Sequence, residues 1–350
     1  HMWFGDLVTM KWWNGIWLNE AFATFMEVAA VESFRTEWQR WTSFSLERSA
    51  AFEVDSLVNT RSVEFAVRSP QDCEGMFDVL TYQKGGSLLR MLEQYLGADR
   101  FRDGIRLYLN THSYGNTETS DLWDAIETAV SADGGEPVRE LMDSWIWQPG
   151  YPLILASLNA TKTRLILQQQ RFTFTPELLD DPQNWLVPIH IRISGIETKY
   201  LLSDQALEID IANDNAAIVV NAGGYGYYRV AYSPELLSRL QGRELAQLAT
   251  IERYSLVDDA WNAVVAGRLQ AIDYIGFVSG FVDERDLAVW QAIAIGLRGC
   301  GRLLDEANYP KLQQRILTLV SPVVTELGWH AQAGEDDLRA KLRGLLVTLL

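Results

Sequence analysis

The chain has 350 residues, 48% hydrophobic and 11% aromatic, with a formal net charge of −16. That length and apolar content suit two or three domains with sizeable cores. The charge argues against a nucleic-acid backbone or an anionic membrane surface as partner, since both need a cationic face, and no run of about eighteen apolar residues is present to span a bilayer. Cys73 and Cys300 stand in unrelated contexts and form neither a disulfide framework nor a Cys-x-x-Cys pair, so a reducing, cytoplasmic compartment is expected. Position 1 opens on an apolar, Trp-rich segment. Residues 341–350 end on an apolar helical run with no stop signal, so the sequence reads as a piece of a longer chain.

Residues 19–34 are predicted as a helix in which Phe22, Phe25, Met26 and Ala29 share one buried face. Glu20 lies nearly opposite, with Thr24, Glu27 and Val31, and on periodicity alone it is a solvated glutamate. Ala23, Val28 and Val31 give the helix a second apolar side, and a carboxylate buried there needs a partner. Helical character continues over 32–52 with Trp38 and Trp41. Residues 55–74, with Arg61, Arg68 and Pro70, are irregular and too long for a simple loop, so they are expected to wrap a surface or line a cleft.

Leu88, Leu92, Tyr95 and Leu96 mark the next helix, stopped by Gly97. Tyr82 stands at its start, ahead of Gly85 and Gly86. Two glycines weaken a helix there and point to a close backbone approach. Tyr82 has two readings: a half-buried tyrosine with its hydroxyl satisfied, or a phenol that donates to a developing oxyanion. Lys84-Gly85-Gly86-Ser87 lacks the spacing of a phosphate-binding loop. Helices follow at 99–111 and at 120–131, the latter capped by Thr119 or Ser120 with Leu122, Ile126, Ala129 and Val130 inward. A last one is opened by Pro137 and closed by Pro149-Gly150. His112, at a helix end, reads as a helix-end contact or a solvent-facing ring.

From about residue 152 the pattern turns to strands: 153–158, 164–168, 185–193, 199–202, 207–211 and 217–220, separated by turn residues such as Asp180-Asp-Pro and Asn213-Asp-Asn. This predicts a small β-sandwich, with His190 in a cross-strand structural role and the glycines of Gly223-Gly-Tyr-Gly marking a turn or bulge. From Pro234 to the end the pattern is helical. The expected fold is therefore multidomain α+β: 1–151 mainly helical, 152–233 a β-sandwich, 234–350 a helical array.

A catalytic zinc site takes three protein ligands and keeps a position open for water. An H-E-x-x-H helix supplies two histidines and a glutamate base, and in one large class a downstream Asn-Glu pair supplies the third ligand. His1, followed after eighteen residues by Glu20 in Trp-Leu-Asn-Glu-Ala-Phe-Ala, is a partial hit to that template. His-Met is also a dipeptide that cloning leaves behind, and that reading of His1 stands beside the ligand one.

The segment His1-Met-Trp-Phe-Gly-Asp-Leu-Val-Thr-Met-Lys-Trp-Trp-Asn-Gly-Ile-Trp-Leu-Asn-Glu-Ala-Phe-Ala resembles the core of the aminopeptidase N family of zinc metallopeptidases, and of its puromycin-sensitive branch in particular. Tyr82-Gln-Lys-Gly-Gly-Ser-Leu-Leu-Arg-Met-Leu resembles the family's catalytic-tyrosine segment. Trp145-Ile-Trp-Gln-Pro-Gly-Tyr-Pro resembles the end of its catalytic domain, and Gly226-Tyr-Tyr-Arg-Val-Ala-Tyr the end of its β-sandwich. The resemblance implies a thermolysin-like catalytic subdomain, Zn2+ held by His1 and Glu20, and Tyr82 stabilising the tetrahedral intermediate as an activated water cleaves the first bond of a peptide with a free N-terminus. Asn19, beside a ligand, is expected to support it. The first histidine and the glutamate of H-E-x-x-H, and the family's amine-gripping Gly-x-Met-Glu-Asn segment, are absent from the 350 residues. The chain as it stands is therefore expected to be inactive and to hold zinc weakly. The alternatives are a non-catalytic interaction scaffold and a related zinc hydrolase such as an epoxide hydrolase.

Overall fold

The computed structural model describes residues 1–131, 135–175, 183–212, 215–332 and 334–350. The turns expected at Asp180-Asp181-Pro182 and Asn213-Asp214 lie outside the described residues. The fold is mixed α+β and divides into two compact units, His1–Leu236 and Leu237–Leu350. The expected division at 151/152 falls inside the first unit.

The first unit opens with a short strand β1 (Val8–Met10) and a 3-10 turn, Trp13–Gly15, that feeds α1 (Trp17–Phe34). Trp17, Leu18, Phe22, Phe25 and Val28 of α1 are buried. Met26 and Ala29, expected on the buried face, are only half-buried, and Met26 lines a cleft. Helical character does not run on unbroken through 32–52. A 3-10 turn, Thr36–Trp38, and Gln39 in left-handed backbone (φ 49°) make a corner before α2 (Arg40–Asp55). The irregular stretch that follows contains one short helix, α3 (Pro70–Glu74). Ser69 caps it by accepting from the Asp72 N–H, while the Asp72 carboxylate accepts from the Ser69 N–H.

A π-helical turn, Leu80–Lys84, then leads into α4 (Gly85–Leu96), α5 (Ala98–Thr111), strand β2 (Gly115–Thr117), α6 (Thr119–Val130) and α7 (Val138–Ile146). The cap of α6 is Glu118, not Thr119 or Ser120: the Asp121 carboxylate accepts from the Glu118 N–H. β1 and β2 form a parallel pair, Val8 opposite Gly115 and Met10 opposite Thr117.

Among the described residues seven strands follow: β3 (Pro152–Leu158), β4 (Arg164–Arg171), β5 (Val187–Ile193), β6 (Ile196–Leu202), β7 (Leu207–Asp210), β8 (Ile218–Val220) and β9 (Arg229–Tyr232). They make two sheets, ordered β7-β4-β3-β9 and β6-β5-β8. The turn expected around Gly223 is present, with Gly223 and Gly224 at φ 73° and 66°. Beyond it, where the sequence pattern marks only a turn or bulge, Arg229–Tyr232 is a strand parallel to β3. His190 pairs across strands with Lys199 and packs edge-on against Tyr225. Burial and the Lys199 charge lower its pKa to about 4, which keeps the ring neutral.

α8 (Pro234–Ser238) holds the junction in sequence. The second unit carries α9 (Thr250–Val265), α10 (Ala271–Val278), α11 (Leu287–Leu303), α12 (Tyr309–Leu327) and α13 (Asp337–Val347), with no strand among its described residues. No described helix is long and apolar enough to cross a membrane.

Candidate functional site

Glu20 sits in the first turn of α1, and the start of that helix is fixed from below. Trp17, one turn earlier, is fully buried. Its indole N–H donates to Glu64 Oε2 at 3.0 Å, and its rings stack on Trp123. Glu64 is a buried carboxylate that also accepts from the Asn14 amide and the Thr119 hydroxyl. Desolvation raises its pKa against the three hydrogen bonds, which lower it.

His1 reaches Glu20 because Phe4 pins the turn that carries it. The Phe4 ring is stacked on Phe22 of α1, centroids 4.2 Å apart, and its carbonyl lies 3.0 Å from His1 Nδ1. A carbonyl only accepts, so Nδ1 carries the proton, and Nε2 of the neutral ring is then an acceptor. That Nε2 lies 3.2 Å from Glu20 Oε2, also an acceptor. Two acceptors in that position call for a cation between them, a proton or a metal. Two ligands of a tetrahedral zinc sit about 3.3–3.6 Å apart, given zinc–ligand lengths of about 2.0–2.2 Å. A ligating histidine ordinarily donates its other N–H to a carbonyl or carboxylate. The His1–Glu20 pair therefore fits two vertices of a zinc site. Among the described residues no group of three His, Cys, Asp or Glu side chains converges to complete it.

Tyr82 faces Glu20 from the π-helical turn, where it is half-buried. Its hydroxyl lies near the Glu20 carboxylate. Burial, with that carboxylate, pushes its pKa up to about 12, so the phenol stays a donor through the neutral range. The two elements meet closely because of glycine. A Cβ on Gly85 would lie 2.6 Å from Ala21 Cβ, and one on Gly86 3.3 Å from Thr24 Cγ2. The close approach expected at these glycines is thus the packing of α4 on α1, one residue past Glu20. His1, Glu20 and Tyr82 line a single cleft of about 700 Å³, with Met2, Trp3 and Met26 among its apolar walls.

Asn19, expected to support the candidate ligands, is hydrogen-bonded elsewhere. Its side-chain amide donates to Met10 Sδ at 3.2 Å. His112 caps the end of α5, with its ring 5.5 Å from that of Tyr108, away from the cleft residues. Sequence reasoning missed two groups that frame the site, Glu64 and the buried Lys84–Asp55 pair, Nζ to Oδ2 2.8 Å. Lys84 carried a signal, a cation between an aromatic segment and two glycines. Asp55 and Glu64 carried none, because their partners are distant in the chain.

Residues 1–145 match the peptidase family M1 domain, and residues 217–350 the ERAP1-like C-terminal domain. The chain is 36% identical over 347 residues to the tricorn protease-interacting factor F2 of Thermoplasma acidophilum, an alignment that covers 99% of this chain and 42% of that protein. It is 33% identical over 359 residues to the puromycin-sensitive aminopeptidase of Caenorhabditis elegans, covering 99% and 37%. It is 31% identical over 363 residues to aminopeptidase M1-A of rice, Oryza sativa subsp. japonica, covering 100% and 40%. The chain thus spans about two fifths of the length of the curated relatives it matches. Two family domains in order, and relatives that align along the whole chain, agree with the motifs around Glu20 and Tyr82: the chain belongs to the M1, or aminopeptidase N, family of metallopeptidases.

Proposed function

We propose that the complete protein is a zinc aminopeptidase that releases N-terminal amino acids from peptides with a free N-terminus. The observation that carries this reading is the convergence on Glu20 of His1 Nε2, at 3.2 Å, and the Tyr82 phenol, in one open cleft. His1 and Glu20 hold zinc, with the remaining ligand and the general base supplied by a His-Glu-x-x segment ahead of His1. Zinc, when bound, supplies a water of lowered pKa and a Lewis acid for the scissile carbonyl. Tyr82 keeps its proton and donates a hydrogen bond to the carbonyl oxygen as negative charge develops there. Met2, Trp3 and Met26 offer the substrate an apolar wall.

We assign residues 1–151 to a thermolysin-like catalytic subdomain, 152–233 to a β-sandwich and 234–350 to a helical domain. The free thiols of Cys73 and Cys300 suit the cytoplasm.

The test uses the full-length protein that contains these residues, assayed on aminoacyl amides and on the same amides with a blocked amine. Hydrolysis of the free-amine substrates alone, with zinc at one per chain, is the expected result. Tyr82→Phe should lower kcat by about 10²- to 10³-fold, the loss typical of a removed oxyanion donor, and leave zinc bound. Equal cleavage of blocked substrates would sink the aminopeptidase reading, and full activity of Tyr82→Phe would sink the role of the tyrosine.

A further inference from the structure

Lys84 and Asp55 are both fully buried. The ammonium donates to Asp55 Oδ2 at 2.8 Å and to the Gly150 carbonyl at 3.0 Å. The other carboxylate oxygen, Oδ1, accepts from the Gly150 N–H at 2.9 Å and from Thr60 at 3.0 Å, and Tyr227 reaches Oδ2 at 3.4 Å. This polar knot joins the end of α2, the Gly150 turn and the sheet region to a single residue of the turn that carries Tyr82.

That turn is not an ordinary helix start. The Lys84 N–H bonds back to Val79 and the Gly85 N–H to Leu80, each five residues earlier, so one extra residue is accommodated. Closing the turn to α-helical register would rotate Tyr82 relative to α4 by about 100°, the step of one residue. Tyr82 and Lys84 are two residues apart and project from nearly opposite sides, about 200° apart in helical register, so the side chain held in the core sets the direction of the one in the cleft. The far flank is held too. Arg61 donates to Thr81 at 2.9 Å and to Asp78, and Asp78 accepts from the Leu80 N–H.

A buried ion pair is a poor device for stability alone, since an apolar pair of like volume often serves as well, and its best-attested use is to specify register. We propose that Lys84, clamped to Asp55 and Gly150, is a positioning residue that locks the π-helical register of Leu80–Lys84 and thereby aims the Tyr82 hydroxyl at the reacting centre. This rests on the reading of Tyr82 as oxyanion donor.

Lys84→Met alone strands the Asp55 charge, so the informative variant is the neutral pair Asp55→Asn/Lys84→Met, made in the full-length protein with and without Tyr82→Phe. With Tyr82 present, the pair should lower kcat by about 10- to 100-fold, as a misaimed catalytic group does, with KM little changed. In the Tyr82→Phe background the same pair should change kcat by no more than about twofold, because groups that act through one another are not additive. In the metal-free protein, amide exchange at Lys84 and Gly85 should lose protection while Leu88–Leu92 keep theirs. An equal loss of kcat in both backgrounds would show a general structural role and overturn the proposal, as would unchanged kcat with unchanged exchange. A Tyr82→Phe enzyme with full activity would instead bring down the reading of Tyr82, and this inference with it.

Discussion

The two walls of the cleft are held in opposite ways. On the wall that carries the proposed metal ligands, the ligand wall, the His1 side chain is 47% exposed and is oriented by one backbone carbonyl and the Phe4–Phe22 stack. On the tyrosine wall, the anchor is an ion pair with both side chains at 0% exposure, tied to three other segments. The difference follows from what each wall must do. A metal fixes its own ligands once bound, so His1, in its proposed role as a ligand, can be loosely preset. A hydrogen-bond donor aimed at a transient charge gains no such help and has to be preorganised by the fold.

The hardest blow to the ligand wall is Glu20→Gln. The amide keeps the size of the side chain but loses the charge that balances the metal. The full-length variant should lose stoichiometric zinc and fall to background hydrolysis, while its melting temperature without metal stays close to wild type. If zinc remained at one per chain after dialysis, Glu20 would not be a ligand, and the contrast between a metal-organised wall and a fold-organised wall would fail.

How much of this was legible in the sequence depends on how local the cause is. Strands β3 to β8 and helices α5 to α7 followed from periodicity and from Gly and Pro punctuation. The proposed roles of Glu20 and Tyr82 rest on spacing and family resemblance; helical periodicity alone would have put Glu20 in solvent. The pair β1–β2 did not follow, since three-residue strands with partners about a hundred residues away leave no periodic signal. Nor did the π register of Leu80–Lys84, a turn tied to distant parts of the chain through Lys84 on Asp55 and through Asp78 and Thr81 on Arg61. Met26 was misplaced for a related reason: a helix that lines a cleft shows the same apolar stripe as one that is buried.

The spacing between the walls is set at Gly85, so Gly85→Ala tests whether both walls depend on it. Alanine is the better helix former by about 1 kcal/mol. Against that, its Cβ would lie 2.6 Å from Ala21 Cβ, and forcing extra volume into a packed contact costs about 1–3 kcal/mol. The packing penalty should win, lowering the melting temperature by a few degrees. Because Ala21 neighbours Glu20, kcat should fall more than stability alone explains. A stabilised variant with full activity would mean that α1 and α4 can part without moving either wall.

The smallest effect concerns the support beneath the ligand wall. Glu64, under Trp17, is a buried carboxyl with its pKa raised above the usual 4.5, chiefly by desolvation, while the Lys84–Asp55 anchor is an ion pair. With the folded pKa above the unfolded one, the native state holds the Glu64 proton more tightly. Its contribution to stability is complete below pH 4.5 and is lost as pH rises through the folded value. Glu64→Gln cannot titrate and satisfies its three donors less well, which costs about 1 kcal/mol. Wild type should therefore exceed the variant in stability by most at acid pH, and the gap should narrow as pH rises, measured by denaturant midpoints across that range. A gap that widened toward neutral pH would mean that Glu64 is held as a carboxylate, and that the ligand wall, like the tyrosine wall, stands on a charge the fold has preorganised.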